Sequence, residues 1–199
     1  MADVCLERTR LRASSDTCVI APHGGEIEAH TDSQAKDVAR ALDCSAWLYE
    51  AHSDSQRTFK KHHVTSTQIT VEDFPEIKKL NYPFERTLAF HGHSGDDILV
   101  GGYGAGRGLH GALLAELRFL NLGCDVKRVR SGNKAGRSQN NIVNRLASPT
   151  ATTIQIEQPL SVRQAHGEAI SETVSTVLST DGRQRRSSAS ISRPTRRSN

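Results

Sequence analysis

A single α/β domain, its mixed twisted sheet covered by helices on both faces, is the fold class this 199-residue chain predicts. Three observations carry that reading. Short apolar runs end at Pro or Gly, as buried strands do (Cys18–Ala21, Thr87–Phe90). Longer stretches between them repeat apolar residues at helical spacing. The length suits one domain with a sizeable core.

Residues 1–15 read as an N-terminal extension, 16–180 as the domain and 181–199 as a tail. Helices are expected over Ser33–Leu42, with Ala35, Val38, Ala39 and Leu42 on one face, and over Leu109–Leu122, with Leu109, Leu113, Leu117 and Leu120. A third runs from about Val162 to Leu178, with Ala165, Ala169, Val174 and Val177 facing the sheet. Strands are expected at Ala46–Glu50, around His62–Thr67, and at Thr152–Glu157, where β-branched residues alternate. YGAGRG at Tyr103–Gly108 lacks the spacing of a phosphate loop and reads as a connection into a helix.

The net charge of +4 is uneven. The tail holds six Arg and one Asp among Ser, Gln and Gly, so the rest of the chain is close to neutral. Such a composition buries too little to fold and predicts disorder. A solvated tail is the preferred reading; nucleic acid could be contacted only through this segment. Four scattered cysteines (Cys5, Cys18, Cys44, Cys124) contain no CxxC and predict thiols in a reducing compartment. There is no apolar run long enough for a transmembrane helix and no secretory leader pattern, which predicts a cytoplasmic protein or one released by lysis.

The chemistry centres on CVIAPHGGEIE, Cys18–Glu28. A strand runs into a tight Gly-Gly loop that presents His23 with two acids, Glu26 and Glu28. The carboxyl ends of strands are where ligands bind in α/β sheets. A His and a carboxylate there make part of a zinc site, since catalytic zinc takes three protein donors of these types. The third donor is sought at the other strand–His–Gly run, AFHGHSG, where His91 directly follows the apolar residues and His93 is its rival. One such His is more often a loop residue than a ligand; two strand-terminal instances strengthen the zinc reading.

APHGGEIE, HVTST (63–67), AFHGHSG, NNIVNR (140–145) and TIQIE (153–157) occur in that order. Together they resemble the poly-gamma-glutamate hydrolase family, phage and bacterial zinc enzymes with a zinc-carboxypeptidase-like fold. The resemblance covers about residues 16–178. It implies zinc held by His23, Glu28 and His91: the family pattern HGGxIE selects Glu28, although general carboxypeptidase spacing would select Glu26. It implies Glu157 as the catalytic general base, and His63 as a contact to substrate or to the ligands. It places Asn141, Asn144 and Arg145 toward the cleft, with Arg163 or Lys134 beside Arg145 holding carboxylates of the substrate. The implied partner is an acidic polymer, poly-γ-glutamate, cleaved by a monomer that has no membrane partner. The alternatives are an amidase or carboxypeptidase acting on another acidic acyl-amino acid, and a non-catalytic protein that binds nucleic acid through its tail.

Overall fold

The structure, a computed structural model, describes residues 3–53, 57–104 and 107–191, with the side chains of 107 and 182–191 not described. Seven strands form one mixed sheet in the order β1-β3-β2-β4-β7-β5-β6. They are β1 (Val4–Arg10), β2 (Thr17–Gly25), β3 (Ser45–His52), β4 (Phe84–His93), β5 (Ile98–Gly101), β6 (Val126–Arg128) and β7 (Ala147–Pro159). The central strands β3, β2, β4 and β7 run parallel, while β1 and β5 pair antiparallel to β3 and β7.

Both faces of the central strands are buried, which is why they read as unbroken apolar runs and not as alternation. On one face Val19, Ala21, Leu88, Phe90, Ile154 and Ile156 meet three helices. These are α1 (Thr31–Ala41), α3 (Arg107–Phe119) and α5 (Leu160–Ile191). Their buried residues follow the expected spacing in α1 (Ala35, Val38, Ala39) and α3 (Leu109, Leu113, Leu117). In α5 the inward face is Val162, Ile170, Val174, Val177 and Leu178. Ala165 is exposed, so the expected stripe is rotated at its start.

The opposite face is thinner. Cys18, Ile20, Trp47 and Ala89 pack there against Ile69, Phe74, Ile77 and Leu80 of the connection to β4, and against Ile142, Val143 and Leu146. Its helical pieces are α2 (Thr58–His62), α4 (Ile142–Arg145) and a 3-10 turn, Pro75–Lys79. Helices thus lie on both faces, but the three long ones share one.

Two boundaries differ from the expectation. Residues 4–10 are no extension: β1 closes one edge of the sheet, paired to β3 from Val4↔His52 to Arg10↔Ala46. Its charges hid it, because Glu7, Arg8 and Arg10 are anchored to Trp47, Glu50 and Asp43 instead of advertising an apolar face. The backbone of α5 continues past residue 181 to Ile191, and residues 192–199 lie outside the described residues. Residues 63–65 are an extended connection after α2, not the strand expected there.

The sheet's organisation positions a crevice. From β2 the chain passes through α1 to β3 on one side, while β4 lies on the other side of β2. Strand order reverses between β2 and β4, and in open α/β sheets ligands bind outside the carboxyl ends at such a switch point.

Candidate metal centre and active site

His23 reaches the crevice through a local irregularity. The register between β2 and β3 shifts between Ala21 and Gly24, a bulge that re-aims a side chain. Gly25 then takes φ +67, and a Cβ there would stand 2.5 Å from the Ala51 carbonyl oxygen, so only glycine fits. The turn closes when Glu28 N–H donates to the His23 carbonyl at 2.8 Å, bringing the carboxylate back beside the ring. Asp32 accepts from Gly25 N–H and pairs with Lys36, which also meets the buried Glu50; Arg8 of β1 binds Glu50 at 2.9 Å. The edge strand therefore helps hold the Gly-Gly turn.

His91 comes from β4. Thr87, Ala89 and His91 alternate onto the thinner face, as do Thr153, Gln155 and Glu157 of β7. Three donor atoms converge there. His23 Nδ1 lies 3.2 Å from Glu28 Oε2, His91 Nδ1 lies 3.4 Å from that oxygen, and the two ring nitrogens are 3.2 Å apart. A tetrahedral ion with donors at about 2.0–2.1 Å would set them about 3.4 Å apart, so this triangle fits a metal ion of that size. All three residues are buried, and among the described residues they are the group of His, Cys, Asp and Glu able to hold a metal.

The donor chemistry agrees. His23 Nε2–H donates to the Val64 carbonyl at 2.7 Å, which leaves Nδ1 bare for a cation. His91 Nε2 is buried with no hydrogen-bond partner among the described atoms. Burial by itself would raise the Glu28 carboxyl; the His23 and His91 rings reverse this and hold it well below the usual carboxylate range. Gly92 N–H adds a bond to Glu28 Oε2 at 2.8 Å.

Glu26 faces away. It is exposed, and its carboxylate accepts from Ser53 N–H and the Thr58 hydroxyl. The choice between the two acids falls to Glu28. His93 is also separate: its Nε2 meets the Asp97 carbonyl, and its Nδ1 meets Gly95 N–H and the Lys134 ammonium.

Around the triangle lies a cavity of about 610 Å³ lined by residues that include His63, Lys134, Asn141, Gln155, Glu157 and Arg163. The His63 ring stacks on Phe59 at a centroid distance of 4.4 Å and sits tilted against His23 at 4.2 Å. Burial, with the charges of the other two histidines, pushes its pKa down to about 4. Glu157 is the register partner of His91. Burial raises its carboxyl against the pull of His91, and the Glu28 charge adds to the rise.

Gln155 was not singled out in the sequence, where it looks like a solvated residue of an alternating strand. Its amide donates to Glu157 Oε1 at 2.8 Å and accepts from Asn141 Nδ2 at 2.9 Å. Asn141 also caps α4, its Oδ1 accepting from Val143 N–H. The other two residues expected from NNIVNR do not reach the cleft. Asn144 braces the loop before it, donating to the Gly136 and Ser138 carbonyls and accepting from Thr153. Arg145 is exposed on the far side of that single turn and is not among the cavity's lining residues.

A buried His–Glu–His triangle able to hold a metal ion, at the carboxyl ends of parallel strands and with a carboxylate beside it, defines the class: an α/β protein with a candidate metal centre. The family follows from the chain itself. Residues 6–185 match the poly-gamma-glutamate hydrolase family, and the chain belongs to it. The UPF0714 protein YndL of Bacillus subtilis (strain 168) is 28% identical over 151 residues, 76% of this chain and 56% of that protein's length. Among solved structures, a bacteriophage poly-gamma-glutamate hydrolase superposes with TM-score 0.71 at 20% identity, covering 88% of each chain. The zinc-free form of YndL gives 0.65 at 23% identity, covering 89% of this chain and 90% of that one. The N-acetylmuramoyl-L-alanine amidase AmiC2 of Nostoc punctiforme gives 0.51 at 16% identity, over 82% and 97%. These likenesses establish a shared fold. Among the described residues, no helix is long and apolar enough to cross a membrane.

Proposed function

We propose that the chain is a zinc-dependent hydrolase that cleaves γ-glutamyl amide bonds of poly-γ-glutamate. The single observation that carries this reading is the triangle of His23, Glu28 and His91 set beside Glu157. It stands at the switch point of a chain that belongs to the poly-gamma-glutamate hydrolase family.

His23, Glu28 and His91 would hold the ion. A bound zinc ion supplies Lewis-acid polarisation of the scissile carbonyl and lowers the pKa of water to about 7. Glu157 takes the proton from the attacking water and delivers it to the departing amine. A carboxyl raised by burial suits that exchange, because a general base works best with a pKa near the working pH. Gln155 fixes one Glu157 oxygen, so the other is free to face the reacting atoms. The His63 ring, kept neutral by its low pKa, closes one wall without adding charge. Lys134 and Arg163 supply positive charge toward an acidic polymer.

The same site could serve another acidic acyl-amino acid, but no separate observation favours that. The convergence of all three donors and Glu157 speaks against a degenerate, purely binding protein.

The test is shortening of poly-γ-glutamate, followed by size-exclusion chromatography, before chelation, after it, and after zinc is restored. Loss and recovery of cleavage would support the reading. Cleavage untouched by chelation, or none under any condition, would overturn it.

A further inference from the structure

We infer that Arg163 is the residue that recognises the α-carboxylate of the glutamyl unit at the scissile bond. This rests on the function proposed above and gives its carboxylate-binding role to Arg163 in place of Arg145.

Arg163 stands in the first turn of α5 and is 6% exposed, yet it lines the cavity. Its guanidinium packs against Gly92: a Cβ at Gly92 would stand 2.1 Å from Nη1. The glycine following His91 therefore makes room for the arginine beside the triangle. Two of its nitrogens, Nε and Nη1, are buried without a hydrogen-bond partner. Leaving buried charged donors unmade is costly, and guanidinium does not escape the cost by losing its proton.

The local acids do not satisfy it. Glu28 and Glu157 attract it at range, but neither makes an ion pair with it. Glu28 turns Oε2 to Gly92 N–H and the two rings, and Glu157 turns Oε1 to Gln155. Lys134, the other cation named on the wall, already contacts His93. What remains is a planar, fixed cation with an unpaired donor on each of its two carboxylate-binding edges, Nε–Nη2 and Nη1–Nη2, and a carboxylate lying along such an edge accepts two parallel hydrogen bonds. Poly-γ-glutamate carries one free α-carboxylate per unit, next to each amide bond. A guanidinium this near the triangle would orient the amide carbonyl by gripping that group.

The experiment measures binding to the full, metal-loaded chain in a Glu157→Gln background, which removes turnover. The probes are a short γ-glutamyl oligomer and the same oligomer with its α-carboxylates converted to amides. The protein with Arg163 intact should bind the acid form more tightly, by roughly tenfold to a hundredfold, the range of a charge-assisted hydrogen bond. Arg163→Gln should remove most of that preference. Arg163→Lys should keep part of it, since the charge stays and the fork is lost. Retention of the full preference in folded R163Q, judged by circular dichroism and melting temperature, would overturn the role of Arg163 while leaving the substrate reading intact. Failure of the Arg163-intact protein to bind either oligomer would overturn the substrate reading and this inference with it.

Discussion

His91 and Glu157 are direct partners across the parallel pair β4–β7, both on the thinner face of the sheet. One supplies a corner of the metal triangle and the other the carboxylate beside it, so their distance is set by strand register and not by loops. A one-residue slip would turn every side chain of a strand to the other face. Apolar neighbours buried on the helical face, Leu88 with Ile154 and Phe90 with Ile156, fix that register. The core thereby determines the geometry of the candidate site.

Glu157→Gln should keep the fold and the metal while slowing cleavage by about 10² to 10⁴-fold, the usual contribution of general acid–base catalysis. Metal content and kcat measured on the same preparation check this. Loss of metal in parallel with activity would place Glu157 among the ligands instead.

The chain Asn141–Gln155–Glu157 should behave as a unit. Gln155→Ala leaves Asn141 Nδ2 and Glu157 Oε1 short of a partner in a buried setting, at a cost of about 1–3 kcal/mol each variant. Asn141→Ala adds the loss of the α4 cap, about 1 kcal/mol. A double-mutant cycle by urea unfolding should give a coupling above about 0.5 kcal/mol; strict additivity would show that the bonds are not coupled.

His110 offers a pH test away from the metal. It is buried on α3 with Nε2 donating to the Thr153 carbonyl, and burial, with the Arg128 charge, lowers its pKa from 6.5 to about 4. Between those values the unfolded chain binds the proton and the folded one does not. Stability therefore rises with pH across that window and is lost as pH falls from about 6.5 toward 4, by up to about 3 kcal/mol. His110→Gln should lack this component, so its deficit against wild type should shrink between pH 7 and pH 4.5. Parallel stability curves for the two proteins would contradict it.

The legible parts of this fold share a physical cause. Cys18–Ala21 and Thr87–Phe90 are buried on both faces, and α1 and α3 on one, so apolar pattern reports them directly. His23 and His91 were readable because each follows such a run, whereas spacing left Glu26 and Glu28 open and the family pattern HGGxIE selected Glu28. Other features depend on tertiary partners. β1 is a charged edge strand with no buried residue, tied to the fold by ladder pairing and ion pairs. Gln155 is polar by type but fully enclosed, which alternation cannot reveal. Asn144 and Arg145 sit beside Asn141 in sequence, yet the single turn of α4 sends them elsewhere, one to brace a loop and one to solvent. Arg163 could be named as a cation near the site, but the Gly92 surface that seats it requires the packing of α5 on β4.

The most direct test is zinc stoichiometry of the purified chain beside Glu28→Ala and Glu26→Ala. Wild type and E26A should each hold about one zinc per chain, as a three-donor catalytic site does, and both should cleave poly-γ-glutamate. E28A should hold little zinc and cleave nothing. Zinc retained in E28A but lost in E26A, or absent from the wild type, would contradict a metal centre built from His23, Glu28 and His91.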